Sequence, residues 1–134
     1  MDEVARDYVA VAESFLGTPY LCHVLSNYGY TDVAYRLLFQ ETYPSWLYPV
    51  KMGATTIWEL WNGNTAAPNM NSQNHVMMLG DLLIWYYENL AGIRTDKTEV
   101  GFKKIIMKPI VPAGLDFVKA SYKSPHGLIK SEWK

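Results

Sequence analysis

Apolar residues repeat at steps of three and four up to Leu90 and, beyond Gly92, at steps of two, and this single change of period constrains the fold most. A chain patterned this way places helices first and strands afterwards, in blocks and not in alternation. It therefore reads either as one α+β domain or as the end of a helical domain joined to the start of a β domain, and the second is the expectation taken here.

Within the helical part, Val4, Tyr8, Val11 and Ala12 mark a first stripe over Asp2 to Ser14. Gly17-Thr18-Pro19 breaks it, and Pro19 suits the first turn of a second helix carrying Leu21, Cys22, Val24 and Leu25. Gly29 ends that helix. Thr31 is the expected N-cap of a third, with Asp32 in its first turn and Val33, Ala34, Leu37 and Leu38 on one face as far as Glu41. Tyr43 to Pro49 holds two prolines and no period, so it reads as an aromatic connector. Asn62-Gly63 is a turn dipeptide that opens a polar loop to Asn71. Ser72 is then placed to cap the longest helix, with Val76, Leu79, Gly80, Leu83, Ile84, Tyr87 and Leu90 on its face and Gly92 as its stop.

In the β part, Lys104 to Lys108 and Phe117 to Lys123 alternate, and Ser124-Pro125-His126-Gly127 turns the chain back into Leu128 to Trp133. The reading is four helices, then about three antiparallel strands, with a division into residues 1–92 and 93–134.

Hydrophobic residues make up 49% of the 134-residue chain and charged residues 19%, enough to bury a core. Twelve basic against 13 acidic residues leave a net charge of −1, with no basic stripe to track a phosphate backbone, so nucleic acid is not an expected partner. No apolar run approaches the roughly 20 residues of a membrane helix, and the N-terminus lacks the pattern of a secretory signal, so a membrane partner is not expected either. Cys22, the single cysteine, has no partner for an intrachain disulfide and reads as a small buried hydrophobe. Neither His23 nor His126 has metal-ligand spacing, and no phosphate loop, nucleophile elbow or dinucleotide fingerprint occurs, so no cofactor or metal is called for.

What stands out is an aromatic content of 14%, including five Trp and ten Tyr. Most serve as core. Beside carboxylates, aromatics also suit sugar rings, and Glu59, between Trp58 and Trp61, is the best candidate for acid or base chemistry. A surface glutamate flanked by two core tryptophans is the plainer alternative. The polar run Asn71-Ser72-Gln73-Asn74-His75 could hold hydroxyls or simply cap a helix.

Four blocks, Phe15-Leu16-Gly17-Thr18-Pro19-Tyr20-Leu21, Tyr43-Pro44-Ser45-Trp46, Gly53-Ala54-Thr55-Thr56-Ile57-Trp58-Glu59 and Met70-Asn71-Ser72-Gln73-Asn74-His75, resemble in order and spacing the C-terminal part of bacterial α-L-rhamnosidases. Gly101 to Ile105 and Ser121 to Gly127 are similar to that family's closing β-sandwich. The resemblance implies that 1–92 supplies the last helices of an (α/α)6 catalytic toroid and that 93–134 begins the β-sandwich. It implies removal of terminal α-L-rhamnose from rhamnosides with inversion, Glu59 being the general base, His75 contacting the sugar, and Trp58 and Trp61 shaping the pocket. An inverting glycosidase also needs a carboxylic acid roughly 6.5 to 9.5 Å from the base. The family's acidic motif lies far upstream and has no counterpart here. The chain is therefore expected to be a truncated piece holding half of a catalytic pair, inactive by itself and self-associating through exposed apolar helix faces. The compartment, cytoplasmic or periplasmic, is left open. A non-catalytic carbohydrate-binding or protein-interaction module derived from the same fold is the alternative.

Overall fold

A computed structural model describes residues 18–67, 69, 72–75 and 82–134. The stripe expected over Asp2 to Ser14, and residues 76–81 of the helix expected after Ser72, lie outside the described residues. The chain forms two compact units that meet between Leu82 and Leu83.

In the first unit, α1 (Thr18–Asn27) and α2 (Thr31–Phe39) pack on each other through the apolar positions that the stripes mark. Leu21, Cys22, Leu25, Ala34, Leu37 and Leu38 are buried. Gly29 ends α1 as expected. At φ +87° it lets its own N–H reach the Ser26 carbonyl (3.2 Å) while the Tyr30 N–H reaches that of Leu25 (2.8 Å), a Schellman ending. Thr31, expected as the N-cap of α2, is instead its first helical residue and is buried, and Tyr30 precedes it without a side-chain cap bond. The helix stops at Phe39, short of Glu41, because Gln40 turns extended at ψ 142°.

The connector is not wholly irregular. Leu47–Lys51 forms a short helix, α3, with Pro49 inside it. Proline is tolerated there because the first-turn N–H groups of a helix have no intrahelical acceptor. Ser45, fully buried, accepts the Tyr48 N–H at 3.0 Å and donates to the Gln40 carbonyl, which ties the start of α3 to the end of α2. The Asn62-Gly63 turn forms as read: the Gly63 N–H bonds the Leu60 carbonyl, and those of Thr65 and Ala66 both bond Asn62.

In the second unit, residues 83–85 are helical and Tyr86–Leu90 widens into a π turn. The strands are β1 (Ile93–Thr95), β2 (Ile105–Met107), β3 (Val118–Ser124) and β4 (Gly127–Trp133), with a 3-10 turn at Val100–Phe102. They form two antiparallel pairs, β1 with β2 and β3 with β4. The reading of about three strands is thus corrected to four among the described residues. β1 was missed because three residues are too few to show a period, and its partner lies ten residues further on (Thr95 opposite Ile105).

Ala91, Ile93 and Ile129 centre this core, with Tyr87, Phe102, Val118 and Ala120 against them. The hairpin also closes the helical segment. Ser131 Oγ donates to the Ala91 carbonyl (2.6 Å) and Trp133 Nε1 to that of Leu90 (2.8 Å), satisfying helix-end acceptors that have no intrahelical donor. That is why this segment packs with the strands that follow it. Ser124 shapes the hairpin turn by accepting the His126 N–H (3.1 Å) and donating to the Gly127 carbonyl (2.9 Å).

Candidate active-site carboxylate

Glu59 sits on a short stretch of backbone that pairs with residues 72–75. The Glu59 N–H donates to the Ser72 carbonyl (2.8 Å), and the His75 N–H donates to the Ile57 carbonyl (2.6 Å). One residue lies between 57 and 59 and two lie between 72 and 75, so the pairing carries one extra residue on the later side, as a bulge does. Thr56 Oγ1 donates to the Gln73 carbonyl and joins the two segments a third time.

The side chain of Glu59 uses the same partner as its backbone: the Ser72 N–H donates to Glu59 Oε2 at 2.9 Å. A bond from an amide to a carboxylate is roughly twice as strong as one between neutral groups. Glu59 and His75 are both half-buried. The polar run after the loop is thereby brought against the Glu59 segment, although 13 positions separate Glu59 from Ser72 along the chain.

Trp58 and Trp61 are buried, at 9% and 6% exposure, and Trp61 meets Trp46 edge-on with ring centroids 6.0 Å apart. At that burial they anchor the backbone on either side of Glu59 and offer little open stacking surface. Asn71 lies outside the described residues. Ser72, read as a helix cap, uses its Oγ to accept the Asn74 N–H at 3.4 Å and its main chain to hold Glu59. That second role leaves no mark in the sequence, since every residue but proline carries the same N–H.

Cys22 is buried in α1, and burial pushes its thiol up to about 12, which makes it a poor nucleophile. His126 is exposed at the hairpin turn. Among the described residues no three metal-ligating side chains cluster, and no helix is long and apolar enough to cross a membrane.

Comparison with known proteins agrees with this arrangement of parts. Residues 1–90 match the bacterial alpha-L-rhamnosidase 6 hairpin glycosidase domain, and residues 92–134 match the bacterial alpha-L-rhamnosidase C-terminal domain. The chain belongs to the bacterial α-L-rhamnosidase family of glycoside hydrolases. An α-L-rhamnosidase of Streptomyces avermitilis is 40% identical over 135 residues, which cover 97% of this chain and 13% of that enzyme. One from an Alteromonas species is 43% identical over 124 residues, 89% of this chain and 13% of the relative. Among solved structures, the Streptomyces avermitilis enzyme complexed with L-rhamnose superposes with a TM-score of 0.82 at 38% identity, over 97% of this chain and 14% of that one. The Dictyoglomus thermophilum enzyme gives 0.77 at 40%, over 87% and 13%. The chain thus spans about 13% of the length of the curated relatives it matches.

Proposed function

We propose that this chain is the part of an inverting α-L-rhamnosidase that supplies the general base, and that Glu59 is that base. Its helices belong to an (α/α)6 toroid, with the domain boundary at Gly92 and residues 93–134 opening a β-sandwich. The observation that carries the reading is the fixed carboxylate: Glu59 is gripped by Ser72 at both backbone and side chain, on a pairing that also holds His75. A base must present a lone pair to water in one orientation, and a carboxylate held at one oxygen is restricted in that way.

In the proposed reaction Glu59 takes a proton from water as that water attacks the anomeric carbon of a terminal rhamnose. A carboxylic acid elsewhere in the complete enzyme, roughly 6.5 to 9.5 Å away, protonates the departing oxygen. His75 contacts the sugar, and Trp58 and Trp61 shape the site by fixing the backbone around the base.

The test is a segment exchange. This chain, grafted in place of the corresponding segment of the Streptomyces avermitilis relative, is expected to support hydrolysis of an aryl α-L-rhamnoside. Glu59→Gln in that chimera is expected to lower kcat by about a hundred- to ten-thousandfold. Hydrolysis undiminished by the substitution would sink the assignment.

A further inference from the structure

The four hydrogen bonds described above bind residues 56–59 to residues 72–75, and they divide the work unequally. The His75 to Ile57 and Glu59 to Ser72 bonds run main chain to main chain and would form with almost any side chains at those positions. The Ser72 N–H is different, since its acceptor is the carboxylate itself. Only one of the four depends on a side-chain donor, the Thr56 hydroxyl on the Gln73 carbonyl, one residue beyond that amide. We propose that Thr56 and the Ser72 main-chain amide form a positioning clamp, in which the hydroxyl fixes the 72–73 backbone so that the amide holds the Glu59 carboxylate by Oε2. Thr56 is exposed, so its side chain is not needed to fill a core, and the hydroxyl is its one recorded contribution here.

The geometry separates Thr56 from Thr55 beside it, which composition cannot do. Valine at 56 keeps the shape and removes the donor, whereas serine keeps the donor and removes a methyl group. A purely structural threonine at an exposed position would tolerate both changes alike. A clamp distinguishes them. The inference gives the Glu59 base of the preceding section its orientation and rests on that reading for its catalytic meaning, while the clamp itself is tested without turnover.

The experiment is a pH titration of the isotope-labelled chain, following the Ser72 amide proton by NMR. In the parent chain that proton is expected to shift downfield as the carboxylate it bonds becomes ionised. The shift is expected to vanish in Glu59→Gln, to be lost or reduced in Thr56→Val, and to return in Thr56→Ser. Ser72→Ala, which keeps the amide, is expected to retain it. A Ser72 amide indifferent to pH in the parent, or a response that survives Glu59→Gln, overturns the clamp, and a full response in Thr56→Val removes Thr56 from it. Amide resonances of Ala34 and Leu38, buried in the first unit, report whether each variant is folded there. Failure of Glu59 as the base would leave this titration intact and show only in the hydrolysis of the chimera, so the two readings fail separately.

Discussion

Glycine at position 92 is required on two counts. Its φ is +70°, which side-chain-bearing residues rarely adopt, and a Cβ there would lie 2.1 Å from the Pro109 nitrogen. The close approach exists because the Gly92 carbonyl accepts the Lys108 N–H at 2.9 Å, one step beyond the paired strands. Gly92→Ala is expected to cost at least about 2 kcal/mol, read as a lower midpoint of urea unfolding. Cys22 makes a second prediction at this scale. Its thiol ionises near 9.0 when free of the fold and at about 12 when buried, so the unfolded chain loses its proton first. The stability from the neutral thiol is therefore complete below pH 9 and is lost as pH rises from there toward 12. Cys22→Ala is expected to flatten the alkaline limb of the stability curve. In the folded chain at neutral pH, Cys22 is expected to resist alkylation until denaturant is added.

The elements owe their ends to partners that are often distant in sequence. The Schellman ending of α1 is local, and Gly29 announces it. The ending at Leu90 and Ala91 is not, for its carbonyls are bonded by Trp133 and Ser131, 43 and 40 positions away. Ser131→Ala and Trp133→Phe each leave a buried carbonyl without that donor, and each is expected to lower stability by about 1 to 3 kcal/mol with an unchanged urea m-value. The two losses should fall short of additive, since both bonds hold the same strand to the same helix end. Stability unchanged in both variants would mean that the hairpin is anchored by the Ile129 contacts alone. Acid behaviour at this scale centres on Asp96, whose carboxylate takes the Lys104 ammonium at 2.8 Å and the Thr98 N–H and hydroxyl. These partners, Lys104 first, hold it well below the usual carboxylate range. What they contribute to the loop between β1 and β2 is present above the ordinary range and lost as pH falls through the lowered value.

At the scale of the whole chain, large apolar side chains stand exposed in both units: Tyr20, Tyr28 and Val50 in the first, Ile105, Met107 and Phe117 in the second. Where apolar side chains adjoin in a large patch, the surface rarely stays open on a monomer. Concentration-dependent self-association is expected in size-exclusion chromatography with light scattering, and a monomer at every concentration would contradict it. On the proposed reading of Glu59 as the base of an inverting reaction, whose acid is assigned to the rest of the enzyme, the chain by itself is expected to show negligible hydrolysis of an aryl α-L-rhamnoside. Hydrolysis that disappears in Glu59→Gln would place that acid within these 134 residues. The order of helices before strands, the stop at Gly29, the turns at Asn62-Gly63 and Ser124 to Gly127, and the buried Cys22 were all determined by the sequence itself. Each depends on periods and turn residues that act within a few positions. Glu59 was legible as a candidate for the same reason, through its tryptophan neighbours and the block that carries the family resemblance. Tertiary structure alone decided that Ser72 grips Glu59, that Trp58 and Trp61 lie buried, that Ile93 to Thr95 is a strand, and that the hairpin caps Leu90 and Ala91. Those contacts run mostly through backbone N–H and C=O groups, which every residue shares, so their partners are chosen by where the folded chain brings them and not by which side chains they carry.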